Sequence, residues 1–458
     1  MIIKLCKKVI RRVLVGLHIA GRKRVFILTF QHGSNFGHLL QNFALSEKIK
    51  ELGYLPKSIA WSMRYLEQPL GYRHNVHINL SYFRKNYIFS TKPIFTEKEL
   101  KRTIREGRKI IVGGDQVFRK LPFNEEYMGT LRYYGDFVYG TKTLASYAAS
   151  FGIERFEGDG YLIREGSKLL KRFDRIAVRE QSGVEILKHT FGVSGIEVLD
   201  PVFLVPINKY NYIIEKAKKL DTSQNGDYIA YMCFGDDHGN WLKNNNIFEN
   251  KKILRIMFDS RGRFNTVEQW LYNIKNSSFV ITNSFHCITF AIIYEKPFIA
   301  LLRGNSGNNR IENLLNIFNL QHCIKKSIEE IKNSDFDISI NWHDVSKIIR
   351  ERTKISDDYL KEVLDLKPTY KKPYVNWPLR GIRARYEKAY LLRKKAHLKL
   401  VQALEALEYK FGFKHRIIRM IIKCLVDRKR YLKLKRDHRL FFQDSKSQFI
   451  QFLGRFYN

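Results

Sequence analysis

The sequence predicts an α/β protein built from two Rossmann-like domains, with a basic helical extension at its C-terminus. Two observations lead to this fold class: apolar segments alternate with segments of helical periodicity over residues 25–206, and the alternation begins again at residue 226. Such alternation is typical of parallel sheets covered by helices. A third observation, a change to Pro-rich, aromatic and then strongly basic composition from residue 367, separates the extension from the domains.

The N-terminal domain, predicted for residues 25–206, begins with a strand–loop–helix unit. VFILTF (25–30) has the composition of a buried strand. A Gly/Ser/Asn loop follows, and HLLQNFALSEKIKELG then places apolar residues at helical spacing before Gly53. Such a unit opens a doubly wound sheet. Further strands are predicted at 109–118, 143–152, 174–180 and 196–205, with a helix after the third.

The C-terminal domain, predicted for residues 226–366, repeats this pattern. Strand-like and helix-like segments alternate again, which predicts βαβ units and a second Rossmann-like domain beside a shared cleft. Strands are predicted at 227–236, 251–258, 279–284 and 297–302, and helices at 266–277, 285–295 and 309–320.

Both ends of the chain are strongly basic. Residues 1–24 contain no acidic residue, and the stretch 380–458 holds 22 Lys and Arg against 6 Asp and Glu. Apolar residues at helical spacing predict a basic amphipathic arm (1–24) and, after a linker at 367–380, a basic amphipathic helical tail (381–458). No apolar run reaches the roughly 18–20 residues that cross a bilayer, and VLVGL in the arm is too short for an export signal.

The formal net charge of +36 predicts an anionic partner: nucleic acid, an anionic lipid surface, or a phosphorylated or acidic substrate. The five cysteines are scattered without a CxxC pattern, so the sequence predicts neither a zinc site nor a disulfide framework. A reducing, cytoplasmic location is therefore expected.

A histidine stands at a predicted strand–helix junction. The strand FVIT ends at Asn283-Ser284, Ser284 is placed to cap the next helix, and His286 falls in its first turn. Ligands of open α/β sheets bind at the carboxyl ends of strands, where free N–H groups and the helix dipole attract anions. His286 is a candidate for binding phosphate or transferring a proton. The alternative interpretation is a buried, hydrogen-bonded core histidine.

Two other strand ends carry glycines and polar residues. The glycine turn of KIIVGGDQVF lets the backbone approach a ligand and directs an aspartate and a glutamine towards the cleft. The loop SNFGHLLQ occupies the first strand–helix junction, and ordinary turn chemistry is the alternative for both. The positions concerned are Asn35, Gly37, His38, Gln41, Gly113, Gly114, Asp115 and Gln116.

Arginines mark two further junctions. Arg179 closes the strand DRIAVRE, where a guanidinium can bind a carboxylate or phosphate through two hydrogen bonds; a surface pair with Glu180 is the alternative. Arg303 and Arg310 flank the loop RGNSGNNR and form a candidate anion clamp, with a solvated loop as the alternative. The DxD at 335–337 is interpreted as an ordinary turn.

Taken together, these stretches resemble the polysaccharide pyruvyl transferase family. The matching segments occur in the family's order over roughly residues 25–320, and the tail lies outside the resemblance. The segments are SNFGHLLQNFAL, IIVGGDQVF, ASYAASFG, FDRIAVREQSGVEILK, VLDPVFLV, FVITNSFHCITFAIIYEKPFIAL and NRIENLL.

The resemblance implies a glycosyltransferase-B-like arrangement of the two domains. It implies transfer of a pyruvyl group from phosphoenolpyruvate to a hydroxyl pair of a bacterial surface polysaccharide or its lipid-linked precursor. The family's SFH histidine falls on His286 and its RE arginine on Arg179, while Arg303 and Arg310 compete for a downstream basic position. The chain departs from the family in GGDQVF, where Gly114 and Phe118 replace the usual Ser and Trp. It also departs at His38, where asparagine is commoner. Both departures weaken the transfer of acceptor specificity.

The chemistry implied by this resemblance assigns roles to the candidates. Phosphoenolpyruvate carries a carboxylate and a phosphate, so we expect Arg179 and one or both of Arg303 and Arg310 to bind it. His286 is expected to bind the phosphate and protonate the donor, and Asp115 is the candidate base for the acceptor hydroxyl. No cofactor and no metal are expected. The remaining candidates for the acceptor or cleft loops are Asn35, Gln41, Gly113, Gly114, Gln116 and Ser284.

The basic ends are expected to hold the enzyme on the inner membrane face, where glycan precursors are built on lipid diphosphate carriers. Two other functions stay open: a sugar-nucleotide-dependent glycosyltransferase of the same architecture, and a basic nucleic-acid-binding protein. The second is disfavoured because the charge concentrates at the ends and no RNA or DNA module pattern is visible. A non-catalytic relative is a third alternative, which the presence of His286 and Arg179 argues against.

Overall fold

The computed structural model places both predicted domains in one compact unit, Met1–Met63 with Asn75–Arg383. A second unit, Arg64–His74 with Ala384–Asn458, lies almost wholly outside the described residues, as do Arg303, the predicted tail, and all of the predicted arm except its last two residues. The described residues are 23–30, 35–61, 74–121, 126–217, 220–222, 227–235, 252–258, 264–302 and 308–376.

The first sheet is built from strands of the N-terminal domain. β1 (Arg24–Leu28) lies between β2 (Leu55–Ser58) and β3 (Lys109–Gly113), and β4 (Gly140–Tyr147) lies on the other side of β3. These four strands are parallel to one another. Every residue of β3 is buried, as expected for a parallel strand with helices on both faces. The other elements are the parallel pair β5 (Ala177–Val178) and β6 (Ile196–Glu197), and helices α1 (Phe36–Glu51), α2 (His74–Tyr87), α3 (Glu97–Thr103), α4 (Glu126–Tyr133), α5 (Gly160–Leu170), α6 (Gln181–His189) and α7 (Ile207–Glu215).

The second sheet is parallel throughout its described strands. Its elements are β7 (Ile229–Met232), β8 (Ile253–Arg255), α8 (Val267–Lys275), β9 (Phe279–Thr282), α9 (Phe285–Ile293), β10 (Phe298–Leu301), α10 (Asn309–Ile317) and β11 (Ile324–Lys325). Two parallel sheets with flanking helices confirm the predicted fold class, two Rossmann-like domains in a glycosyltransferase-B-like arrangement.

Each sheet reverses its strand order once. In the first sheet the chain moves outward from β1 to β2, then returns to the other side of β1 with β3 and β4. In the second sheet the chain moves from β7 to β8, then returns to the other side of β7 with β9 and β10. Loops that leave the carboxyl ends of strands on either side of such a reversal diverge and open a crevice, where ligands of doubly wound folds bind. The loops after β1, β3 and β9 all leave from these points.

A long helix from the C-terminal half covers the first sheet. α11 (Trp342–Asp365) buries Leu360 and Val363 in a cluster with Val25, and the Tyr359 hydroxyl donates a hydrogen bond to the Ser146 carbonyl at 2.7 Å. β12 (Thr369–Lys371) then pairs antiparallel with β4, inside the segment predicted as a linker. Neither α11 nor any other described helix is long and apolar enough to cross a membrane.

The first turn of α1 packs against the C-terminal domain. The Phe36 ring stacks on Phe264 and Trp270, with ring centroids 4.7 and 5.1 Å apart. Stacked aromatic pairs of this kind stabilise an interface by about 0.5–1.5 kcal/mol each beyond their buried area. This contact holds the start of α1 against the C-terminal domain, so the starts of α1 and α9 lie together.

Candidate active site

Arg179 and His286 meet at one carboxylate. Arg179 follows β5, and its Nη1 donates a hydrogen bond to Asp200 Oδ2 at 2.6 Å. His286 lies in the first turn of α9, with Nε2 3.7 Å from the same oxygen. Residues from the two halves of the chain are thereby brought together at the carboxyl ends of their sheets. Asp200 was not identified in the sequence analysis, which assigned it to a strand. Its Oδ1 accepts a hydrogen bond from the Val202 N–H and caps a short 3-10 turn.

His286 is buried, with 5% of its surface exposed. Burial lowers the pKa of His286 to about 3; Asp115 opposes this shift, and the positive charges of Arg179 and Arg310 add to it. The imidazole is therefore neutral near pH 7 in the ligand-free protein. Ser284 occupies the predicted N-cap position of α9, but its side chain makes no capping hydrogen bond.

Arg179 is surrounded by acidic groups. Besides the bond to Asp200, its Nη2 lies 3.8 Å from Asp115 Oδ1 and its Nε 3.9 Å from Glu180 Oε2. Burial alone would lower the pKa of Arg179, but these carboxylates raise it above its ordinary value. The guanidinium carbon lies 4.2 Å from the centroid of the Phe285 ring. Nε and Nη2 make no hydrogen bond with any described residue.

Glu180 has a structural role. Its Oε1 accepts hydrogen bonds from the Ser150 hydroxyl at 2.9 Å and from the N–H groups of Phe151 and Gly152 at 2.8 and 3.1 Å. Arg179 and Glu180 are both buried, so their interpretation as a surface pair is wrong. Glu180 holds the loop after β4 in place beside the cleft.

Asp115 lies at the turn after β3 and is buried. Its Oδ1 accepts a hydrogen bond from the Gln116 N–H at 2.7 Å, and its Oδ2 lies 2.9 Å from Nε2 of His38. Burial alone would raise the pKa of Asp115, but His38, Arg179 and His286 together hold it well below its usual range. The side chain is therefore ionised at all ordinary pH values.

The glycine turn after β3 is fixed by close contacts. Gly114 has a φ of 88°, and a Cβ at this position would lie 1.6 Å from Oε1 of Gln41. Gln41 is buried, and its Nε2 donates hydrogen bonds to Thr29 Oγ1 and to the His38 carbonyl, each at 2.9 Å. Gly113, at the end of β3, would place a Cβ 2.0 Å from the Tyr147 carbonyl oxygen. Because Gly113 and Gly114 have no side chain, the backbone of this turn packs closely against Tyr147 and Gln41.

Asn35 caps α1. Its Oδ1 accepts a hydrogen bond from the Gly37 N–H at 2.9 Å, so the side chain is engaged in starting the helix. Four candidates, Asn35, Gly37, His38 and Gln41, lie at the start of α1. Of these, His38 alone contacts a charged side chain of the site, which is Asp115.

Arg310 reaches the cleft from the first turn of α10. With its amide oxygen facing the guanidinium, Gln116 accepts hydrogen bonds from Nη2 and Nη1 of Arg310 at 2.9 and 2.6 Å. The Arg310 guanidinium carbon lies 5.9 Å from the Phe285 ring centroid. Arg179 and Arg310 thus both border Phe285, a residue that the sequence analysis did not single out.

The DxD segment lies in a short 3-10 helix. Asp335 Oδ1 is 2.7 Å from Lys325 Nζ, and its Oδ2 accepts from the Lys332 N–H at 2.8 Å. Within the described residues, no group of three or more His, Cys, Asp or Glu side chains is arranged to hold a metal ion.

Several solved structures resemble this chain. They include a UDP-glucosyltransferase from Polygonum tinctorium (8% identity, 76% of this chain and 99% of that chain, TM-score 0.41). The UDP-GlcNAc 2-epimerase from Methanocaldococcus jannaschii is 11% identical over 77% of this chain and 95% of that chain, with a TM-score of 0.37. A glycosyltransferase from Rickettsia africae is 11% identical over 75% of this chain and 99% of that chain, with a TM-score of 0.37. No curated protein matches the chain.

The family comparison covers both domains. The model of the family described as polysaccharide pyruvyl transferase matches residues 35–305, a range that contains Asp115, Arg179, Asp200 and His286. This range is more than half of the 458-residue chain. The chain therefore belongs to the polysaccharide pyruvyl transferase family and is a transferase.

Proposed function

We propose that the protein transfers a pyruvyl group from phosphoenolpyruvate to a hydroxyl pair of a saccharide, within a bacterial surface polysaccharide or its lipid-linked precursor. One observation carries the proposal: Nε and Nη2 of Arg179 and Nε2 of His286 are buried and make no hydrogen bond with any described residue. Buried donors of this kind are normally satisfied, so a ligand with several acceptor oxygens is expected there. Phosphoenolpyruvate offers a carboxylate and a phosphate.

The charges around Arg179 limit how phosphoenolpyruvate is bound. Asp115, Glu180 and Asp200 already surround the guanidinium, so Arg179 alone supplies no excess positive charge. Arg310 adds one cation beside Phe285. A phosphate next to His286 raises the pKa of the imidazole, because a nearby anion favours the charged form. We therefore infer that donor binding draws a proton onto His286.

The protonated imidazole supplies the acid for the reaction. C3 of the donor gains a proton from His286 as an acceptor oxygen bonds to C2, and the bond from C2 to the phosphate oxygen then breaks. A second acceptor hydroxyl bonds to C2, and its proton returns to His286. The first hydroxyl proton leaves with the phosphate. Two hydroxyl groups and one phosphoenolpyruvate thus give one ketal and one hydrogen phosphate, with charge conserved. No cofactor enters this scheme, and Arg179 with Arg310 neutralises the leaving phosphate in place of a metal.

The test is turnover of labelled phosphoenolpyruvate. The full chain is incubated with labelled phosphoenolpyruvate and a panel of polyprenyl-diphosphate-linked oligosaccharides. Released phosphate and labelled glycan are then measured, and we expect equal amounts of the two. Parallel calorimetric titrations with phosphoenolpyruvate and with UDP-sugars separate this function from a sugar-nucleotide-dependent transferase. Binding of UDP-sugars together with no binding of phosphoenolpyruvate would reject the proposal.

We also propose that the basic segments 1–24 and 381–458 hold the enzyme on the inner membrane face. Each Lys or Arg near an anionic surface contributes about 1 kcal/mol of binding free energy, and the formal charge of the chain is +36. Flotation with vesicles containing anionic lipid, compared with neutral vesicles and with a chain truncated after residue 376, measures this. Equal recovery with both kinds of vesicle would reject membrane association.

A further inference from the structure

A second pair of groups lies beside the donor-binding residues. His38, on the first turn of α1, has Nε2 2.9 Å from Asp115 Oδ2, and Asp115 Oδ1 lies 3.8 Å from Nη2 of Arg179. Contacts therefore run from His38 through Asp115 and Arg179 to Asp200, and from there to His286. His38 and His286 therefore border the same cluster of charged side chains.

We assign the tautomer of His38 from its contact with Asp115, whose Oδ2 lies 2.9 Å from Nε2. An ionised carboxylate only accepts hydrogen bonds, and the low pKa of Asp115 keeps it ionised. The neutral imidazole therefore carries its proton on Nε2, and Nδ1 presents a lone pair. Nδ1 is buried and makes no hydrogen bond with any described residue. A buried acceptor without a donor among the described residues is suited to accept a hydrogen bond from a ligand hydroxyl.

The same data argue against Asp115 as the base. A carboxylate whose pKa lies well below its usual range is a weak proton acceptor near pH 7. Its position between His38 and Arg179 instead suits a group that orients an imidazole, as a buried carboxylate does in hydrolytic triads. The side chain of His38 is 22% exposed, so part of the side chain is accessible from outside the protein.

Building on the proposed function, we propose that His38 is the proton acceptor for the attacking saccharide hydroxyl and that Asp115 is its positioning residue. The O–H bond of the first hydroxyl breaks as its oxygen bonds to C2 of phosphoenolpyruvate, and the proton moves to Nδ1 of His38. The phosphate then leaves with its bonding electron pair and takes this proton from His38. The imidazole is restored to its neutral form, so no further reactant is needed.

Other charged groups near His38 belong to the same site. Asp115 approaches from the turn after β3, and Arg179 and His286 lie beyond it. On the side of β1, the Phe30 ring lies 5.6 Å from the imidazole and carries no charge.

The experiment compares turnover of phosphoenolpyruvate by the full chain and by His38→Asn, His38→Gln, His38→Ala and Asp115→Asn. We expect a fall in kcat of about 10²–10⁴-fold for the His38 variants, with KM for phosphoenolpyruvate within about threefold of wild type, since His38 does not touch the donor. Added imidazole should partly restore His38→Ala, which a purely structural role for the ring would not allow. The exposed His189, replaced in His189→Asn, is the matched control.

The double variant His38→Asn with Asp115→Asn separates the two roles. If Asp115 acts through His38, the double variant is no slower than the slower single variant. Binding of phosphoenolpyruvate, measured by calorimetry, shows that each variant is folded. A kcat for His38→Asn and His38→Gln within threefold of wild type would overturn this role alone. Absence of turnover by the wild type with every acceptor would overturn the proposed function and this role with it.

Discussion

Gly37 lies directly against the imidazole of His286. A Cβ built on Gly37 would fall 2.0 Å from Nδ1 and 2.1 Å from Cγ of that ring, far inside van der Waals contact. Gly37 stands in the first turn of α1 and His286 in the first turn of α9, so two helix starts from different domains touch through a glycine and a ring. Only a residue without a side chain allows this approach.

We predict that Gly37→Ala displaces His286 and slows turnover without unfolding the protein. Alanine favours a helix over glycine by about 1 kcal/mol, so α1 itself is not weakened, while the forced movement of the ring costs about 1–3 kcal/mol. We expect kcat to fall at least tenfold and the circular dichroism spectrum to stay unchanged. The control is Gly160→Ala, a helical glycine whose added Cβ would contact nothing within 4 Å. Normal kcat for Gly37→Ala would contradict the close packing.

The sequence predicts the junction at His286 well because its signals are local. An apolar strand, a polar cap and a second apolar segment determine β9, α9 and the position of His286 between them. The sequence does not predict that α11 covers the first sheet, since an amphipathic pattern shows which face is apolar but not which sheet covers it. Asp200 was missed for a similar reason. Its bond to Arg179 joins residues 21 positions apart and depends on the pairing of β5 with β6. The Asp-Pro pair at 200–201 was the available local signal for a turn.

Arg179→Met should destabilise the protein strongly at neutral pH. The substitution leaves the carboxylates of Asp115, Glu180 and Asp200 buried without their central cation, and removing one partner of a buried pair costs about 3–5 kcal/mol. Chemical denaturation measures the free energy of unfolding. Arg175→Met, at an exposed arginine four residues before Arg179, is the control.

The loss in Arg179→Met should shrink as the pH falls. In the wild type, the depressed pKa of Asp115 contributes stability that is present above its unfolded value and lost below it. Burial already raises the pKa of Asp200 while Arg179 opposes that shift; without the cation the pKa of Asp200 rises further above its unfolded value, so the variant loses stability as pH rises. The difference between the two proteins should therefore be larger at pH 8 than at pH 5. A difference independent of pH would show that the charges do not couple.

His286 should make the ligand-free protein sensitive to acid. Its pKa is about 3 in the folded protein against an ordinary value of 6.5, so the unfolded chain binds the proton first as the pH falls. Stability from this group is present above pH 6.5 and is lost as the pH falls below it, by about 2 kcal/mol between pH 7 and pH 5. Denaturation of the wild type and of His286→Gln at both pH values should show that the variant lacks this component. Equal losses in both proteins would be inconsistent with a buried neutral imidazole.

Binding of phosphoenolpyruvate should take up a proton at His286. The phosphate raises the pKa of the neutral imidazole, so at pH 7 up to one proton is drawn from the buffer for each donor bound. Calorimetric titrations in buffers with different heats of ionisation measure this number directly. His286→Gln should bind phosphoenolpyruvate more weakly, and residue 286 should take up no proton on binding. The idea fails if the wild type and the variant take up the same number of protons.

Gln116 should matter because it positions Arg310. Its amide oxygen accepts two hydrogen bonds from the guanidinium, so Gln116→Ala frees that side chain and should raise KM for phosphoenolpyruvate about tenfold, the loss expected from one charge-assisted hydrogen bond. Gln116→Glu keeps Arg310 in place but adds a negative charge that competes with the donor, so its KM should rise further. Gln321→Ala, at an exposed glutamine, is the control. If Gln116→Ala left KM for phosphoenolpyruvate unchanged, the position of Arg310 would not matter for donor binding.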